Sequence, residues 1–254
     1  PRFWSALILA LCALFSAARL RLTSMRWRAL EAPLLGWAAL FWYGAWVWQL
    51  ERLFNERPLI WAVTTLLTIS AITWAVLEAR LNWRKLALAR FVLPLLLALC
   101  LTANAMIGAP LEGWGWLAWL LALAGSTLLL RVGRDADAHL ALRHALNLWL
   151  GLAVLAVQVD YWVGDWTAEL NWNLAAQLLL AAVLVRLLPR LQLAEEIENA
   201  YHEWTPALLC SLGGLLWLAM LFPAPGASPF DWLALFNPLD LPQLVALLAF
   251  WNWA

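Results

Sequence analysis

The segment Phe222-Pro-Ala-Pro-Gly-Ala-Ser-Pro-Phe230 continues as Asp231-Trp-Leu-Ala-Leu-Phe-Asn-Pro-Leu-Asp-Leu-Pro242 and separates two strongly apolar runs. Each of its prolines removes a backbone N–H donor and fixes φ, so this segment cannot form a regular helix. The prolines are Pro223, Pro225, Pro229, Pro238 and Pro242. Because the rest of the chain consists mainly of apolar runs of helical length, we interpret this segment as a long irregular connection between two helices.

The composition identifies an integral membrane protein. Hydrophobic residues make up 65% of the 254 residues and the mean hydropathy is +0.76, whereas a soluble domain is roughly 45–50% apolar. The formal net charge is zero, so no global basic field favours nucleic acid as a partner.

Cys12, Cys100 and Cys210 lie in apolar runs without CxxC or Cys/His spacing, which predicts free thiols and no metal site. No P-loop, GxGxxG, HExxH or GxSxG motif occurs, so we predict no cofactor and lean against an enzyme.

Apolar runs long enough to cross a membrane recur along the whole chain, since a span needs roughly 20 apolar residues. We predict an all-α, polytopic helical bundle of about nine transmembrane segments, eight complete and one cut short, that forms a single domain over residues 1–254. The predicted spans are Phe3–Ala18, Leu34–Leu53, Leu59–Leu77, Phe91–Ala109, Trp114–Val132, Leu140–Val159, Leu174–Leu188, Pro206–Phe222 and Leu241 onwards.

Basic residues alternate between the predicted connections. Short cytoplasmic loops hold an excess of Lys and Arg, so we place the odd connections in the cytoplasm and residue 1 and the Pro-rich loop 223–240 outside. Thirteen of the 16 Lys and Arg residues lie in the odd connections: Arg19, Arg21, Arg26, Arg28, Arg80, Arg84, Lys85, Arg90, Arg131, Arg134, Arg143, Arg186 and Arg190.

The predicted outer connections are acidic and rich in tryptophan. Tryptophan occurs 21 times in the chain, and one explanation is an aromatic belt, whose amphipathic rings lie at headgroup level. The alternative is an outer vestibule that binds a sugar or a lipid headgroup by ring stacking and carboxylate hydrogen bonds. The outer carboxylates are Glu112, Asp160, Asp165, Glu169, Asp231 and Asp240.

The end of the Pro-rich segment has two interpretations. Asp240 can cap the last helix while Pro242 lies in its first turn, where a missing donor costs nothing. Alternatively, Asn237 and Asp240 are held at the outer surface beside Asp231 and Trp232 and form part of a ligand site. Proline-fixed backbone suits either role.

The passage Phe236-Asn-Pro-Leu-Asp-Leu-Pro-Gln243 before a late membrane helix resembles the bacterial polytopic family known as domain of unknown function 2339. The tryptophan-rich helices are similar as well, as are the segments Ala79-Arg-Leu-Asn-Trp-Arg84 and Glu31-Ala-Pro-Leu-Leu-Gly-Trp37. Pro242 departs from the helix former expected at its position. The resemblance implies a bacterial inner (cytoplasmic) membrane location and transfers no catalytic residue. Since family members are long, and this chain lacks an initial Met and ends within an apolar run, we expect a portion of a longer protein.

Three hypotheses of function follow. The first is a scaffold or a transport or export component of the cell envelope, whose partners are the lipid bilayer and other membrane or envelope proteins. The second is an enzyme or binding protein for a lipid-linked or exported glycan at the outer face, with Asp160, Asp165, Asp231, Asn237 and Asp240 as its polar groups. The third is a lipid or small-molecule transporter, which requires a polar cavity at the midplane near Thr68, Asn104 and Gln177.

Overall fold

The structure, a computed structural model, describes residues 2–21, 29–131, 140–167, 170–191, 198, 200–221 and 240–253. Within these residues the chain forms nine α-helices and no β-strand. The helices are α1 (Arg2–Arg21), α2 (Glu31–Leu53), α3 (Glu56–Leu81), α4 (Leu88–Ile107), α5 (Gly115–Arg131), α6 (Leu140–Trp166), α7 (Leu170–Leu187), α8 (Thr205–Leu221) and α9 (Asp240–Trp251).

Each predicted span coincides with one of these helices, so the all-α class of membrane bundle is confirmed. The estimate of about nine transmembrane segments is too high by the criteria of length and composition. Among the described residues, five helical stretches are long and apolar enough to cross a membrane: Phe3–Arg21, Glu56–Leu81, Lys85–Ile107, Leu140–Trp166 and Trp172–Arg190. Helices α5 and α8 have 17 residues and α9 has 12. Helix α2 has 23 residues, but its Trp and Tyr residues lower its mean hydropathy.

Two helices lie at the centre of the packing. Helix α3 contacts α2, α4 and α5, and helix α7 contacts α6, α8 and α9. Trp119 of α5 and Leu97 of α4 are fully buried in the first group, and Leu178 of α7 is fully buried in the second. By contrast, α1 exposes Trp4, Leu11 and Phe15. Exposed apolar faces of this kind suit contact with lipid.

Consecutive helices run antiparallel, and the contacts between their ends define two faces of the bundle. On what we call the Arg-rich face, Arg21 at the end of α1 donates to the carbonyl oxygens of Leu81 and Asn82 at the end of α3, at 2.8 and 2.9 Å. On the opposite face, Phe3 of α1 contacts Trp46 of α2 edge to face. The predicted grouping of the odd connections therefore agrees with the observed packing.

Candidate functional site

The residues predicted as an outer ligand site divide into two groups. Asp231, Trp232 and Asn237 lie outside the described residues. Asp240 is the first residue of α9 and Pro242 lies in the first turn of that helix, which is the predicted place for this proline. The capping of α9 by Asp240 stays a prediction. The ligand site at this position stays a prediction.

Asp160 and Asp165 lie on a helix rather than in a loop. The sixth span was predicted to end at Val159, but α6 continues to Trp166. Both carboxylates are exposed, and five residues of helix separate them by about 140° around the helix axis. The two side chains therefore leave α6 on different faces and do not converge on one another.

The connection between α4 and α5 is packed tightly at the opposite face. Arg57 of α3 donates to the carbonyl oxygen of Ile107 at 3.0 Å and pairs with Glu112 at 2.8 Å. Gly108 lies against Arg57, where a Cβ would come within 2.6 Å of the guanidinium. The amide oxygen of Gln158 on α6 accepts from the backbone N–H of Leu111 at 2.9 Å. These contacts tie α3, α4 and α6 together at this face.

Buried polar side chains between the helices mostly bond to backbone. Thr64 and Thr68 donate to the carbonyl oxygens of Ile60 and Thr64, four residues earlier on α3. The amide of Gln177 on α7 donates to the carbonyl oxygen of Ala156 on α6 at 2.7 Å. Such bonds satisfy polar groups in an apolar surrounding and join neighbouring helices.

The Arg-rich face holds a cluster of charges that sequence reasoning missed, which we call the Glu31 cluster: Glu31, Trp83, Lys85 and Arg21. The Glu31 side chain is only 4% exposed. It accepts from Trp83 Nε1 at 2.5 Å and pairs with Lys85 Nζ at 2.6 Å. Arg21 donates to the carbonyl oxygen of Asn82, the residue before Trp83, and the formal charges of these four residues sum to one positive charge.

The turn after α3 builds this cluster. Asn82 ends α3 with φ of 49°, a left-handed conformation that asparagine tolerates. The chain then folds back, so the Trp83 ring is buried against Ala17 and Leu34 of the first two helices. The segments Glu31–Trp37 and Ala79–Arg84, which are far apart in the sequence, are therefore in contact. A lone carboxylate in an Arg-rich connection is the sequence signal that could have indicated this.

A second charge pair lies beside the cluster. Arg90 of α4 contacts Glu78 of α3, and both side chains are largely buried. The pair ties the end of α3 to the beginning of α4, and it is adjacent to the turn that carries Trp83.

An apolar groove begins at the Glu31 cluster, and we call it the α2/α4 groove. Helices α2 and α4 both pack on α3, whose residues Leu67, Ala71 and Trp74 form the floor of a cavity of about 630 Å³ between them. Lys85 lines one end and Tyr43 lines the other. Cavities of roughly 300–1,000 Å³ are typical of small-molecule sites.

A second groove, with a larger volume of about 870 Å³, lies between α5 and α6. Asn147 of α6 donates to Thr127 of α5 at 3.1 Å, and it also accepts from Ser126. Tyr201 lines the end at the Arg-rich face and contacts His144 at 3.3 Å. Burial raises the pKa of the Tyr201 phenol, so this hydroxyl is protonated at neutral pH.

The apolar spans and the antiparallel packing define a polytopic α-helical membrane protein. A family model described as "Predicted membrane protein (DUF2339)" matches residues 2–254. The chain belongs to this family. No curated protein and no solved structure is significantly similar to it.

Proposed function

We propose that this chain is a non-catalytic component of a bacterial inner membrane, and that it acts as a scaffold of the cell envelope. The observation that carries the proposal is the close approach of α3 and α5. A Cβ placed on Gly125 would lie 2.5 Å from Thr68 Cγ2, and Thr68 is only 2% exposed. Backbones that pack through small residues in this way suit a fixed framework.

A scaffold is favoured over a transport conduit through these helices. The transport hypothesis needs Thr68, Asn104 and Gln177 to line a polar cavity. Thr68 and Asn104 are buried among neighbouring side chains, and the Gln177 amide is used in the contact between α6 and α7. Polar side chains that are buried in the bundle or bond between its helices do not line a channel, and they support a rigid bundle.

The orientation that accompanies this proposal places the Arg-rich face in the cytoplasm. It rests on the excess of Lys and Arg in the odd connections, the bias that orients membrane proteins. Under this proposal, Asp240 and the Pro-rich segment lie on the extracytoplasmic side.

The glycan enzyme alternative requires at least two outer carboxylates in one cavity. Among the three carboxylates that lie in the described residues and were proposed for this site, Asp160 and Asp165 are the two nearest in sequence, and they leave α6 on different faces. A site built from Asp240 with Asp231 and Asn237 stays a prediction. Such a site would have to bind and hydrolyse a glycan without both Asp160 and Asp165 in the same cavity.

The double variant Asp160→Asn and Asp165→Asn is expected to retain wild-type function, because both carboxylates are exposed and leave α6 on different faces. The test is complementation: the variant is expressed in a bacterium deleted for its own copy, and the deletion phenotype and the membrane abundance of the protein are measured together. Full complementation at wild-type abundance is expected. If a folded and abundant double variant fails to complement, the non-catalytic proposal is wrong and the outer carboxylates belong to an active site.

A further inference from the structure

We propose that the α2/α4 groove binds one acyl chain of an anionic glycerophospholipid from the leaflet on the Arg-rich face, with the phosphate of the headgroup beside Lys85. This ligand site is additional to the scaffold function and does not depend on it.

The groove has the chemistry of an acyl chain site. Its floor is Leu67, Ala71 and Trp74 of α3, and its α4 wall includes Val92 and Leu96. The α2 wall combines the small residues Ala32, Gly36 and Ala39 with Leu35 and, at its far end, Tyr43. A Cβ placed on Gly36 would meet no atom within 4 Å, so the space above this glycine is open. Dispersion contacts along such a lining favour a flexible apolar chain.

The length of the groove distinguishes a lipid from a partner helix. From Ala32 to Tyr43 the α2 wall extends 11 residues, or about 16 Å at 1.5 Å per residue. This is close to half of the roughly 30 Å hydrocarbon core, which is the depth of one leaflet. At the depth of Tyr43, the adjacent Trp42 donates to Ser70 of α3 at 3.1 Å, which draws α2 and α3 together. A transmembrane helix needs the full thickness, whereas an acyl chain needs one leaflet.

The charge at the mouth selects the headgroup. Lys85 lies at the end of the groove and its side chain is 44% exposed although it pairs with Glu31. With Arg21 nearby, the Glu31 cluster keeps one net positive charge, which complements a phosphodiester. The sequence adds Arg26 and Arg28 to the connection between α1 and α2. Basic residues beside a membrane surface attract anionic lipid.

Two glycines on α2 give a matched pair of variants. Gly36 lines the groove, whereas Gly44 lies two turns further along the same helix and does not line it. Neither position has an atom within 4 Å of an added Cβ. Gly36→Leu therefore fills the groove, and Gly44→Leu makes the same chemical change outside it.

The experiment uses the full chain in phosphatidylcholine nanodiscs that contain a phosphatidylglycerol with a diazirine in its acyl chain. After illumination, adducts on residues 32–43 are quantified by mass spectrometry of proteolytic fragments. We expect Gly36→Leu to reduce these adducts about tenfold, because a leucine overfills the space, and Gly44→Leu to leave them unchanged.

The headgroup is tested on the wild-type chain, so this part does not depend on folding of a variant. Phosphatidylglycerol that carries the diazirine is expected to label residues 32–43 more strongly than the matching phosphatidylcholine, and added salt is expected to reduce the difference. Equal labelling by the two lipids, or equal labelling of Gly36→Leu and wild type, would overturn the proposal.

Discussion

Replacing Arg90 by methionine is expected to lower the free energy of unfolding by about 3–5 kcal/mol, the usual cost of removing one partner of a buried ion pair. Arg90 contacts Glu78, and their side chains are 8% and 14% exposed. Methionine keeps most of the apolar stem but leaves the Glu78 carboxylate without its guanidinium. The measurement is reversible unfolding in detergent micelles, followed by circular dichroism.

The double variant Glu78→Gln and Arg90→Met is the matched control. Since it removes both charges, we expect it to recover most of the lost stability, because a buried ion pair contributes little beyond its own desolvation cost. A single variant Arg90→Met with wild-type stability would show that Glu78 is hydrated and that the pair does not join α3 to α4.

Replacing Gly125 by alanine is expected to destabilise the bundle by about 1–3 kcal/mol, the cost of overpacking a well-packed interior. The added methyl group would lie 2.5 Å from Thr68 Cγ2 and 3.2 Å from Ile72 Cδ1. Thr68 is β-branched and buried and cannot swing aside, so α3 and α5 must separate. The midpoint of thermal unfolding measures the loss.

Gly151→Ala provides the comparison on the neighbouring helix α6. A Cβ at Gly151 would meet Leu123 Cδ2 at 3.8 Å, which is ordinary van der Waals contact. We expect no loss, and a gain of up to about 1 kcal/mol from the higher helix propensity of alanine. If both glycine variants behave alike, the close contact between α3 and α5 is not formed in the membrane.

Sequence patterns predicted the helices because hydrophobic length is a local property. The predicted span Leu59–Leu77 lies within α3, and Pro206–Phe222 differs from α8 by one residue at each end. The alternation of Lys and Arg also predicted which helix ends meet, as the contact of Arg21 with Asn82 shows. In both cases the decisive information lies within a single helix or connection.

The Glu31 cluster could not be predicted in the same way. Glu31 and Trp83 are 52 positions apart, and their contact depends on how α1, α2 and α3 pack. The continuation of α6 beyond Val159 was missed for a different reason. Asp160, Gly164 and Asp165 are weak helix formers, but the helical course of the preceding residues outweighs their propensity.

The candidate site was only partly predictable. The acidic, tryptophan-rich outer connections are easy to recognise in the sequence, because charged residues are rare in a chain this apolar. The α2/α4 groove is lined mainly by Ala and Leu residues, which have no distinctive signal in a chain that is 65% hydrophobic. Only the spacing between α2 and α4 reveals it.

Cysteine accessibility on the two sides of α2 tests most directly whether this family member is the polytopic bundle with the proposed orientation. Helix α2 is the decisive choice because it is absent from the five stretches that satisfy both length and composition. In a background with Cys12, Cys100 and Cys210 replaced by alanine, Leu30→Cys and Asn55→Cys each place one exposed thiol at an end of α2. A membrane-impermeant maleimide applied to cells with a permeable outer membrane and an intact inner membrane is predicted to label Asn55→Cys, and to label Leu30→Cys only after the inner membrane is permeabilised. Labelling of both thiols from the same side would contradict the account, because α2 would then not cross the membrane.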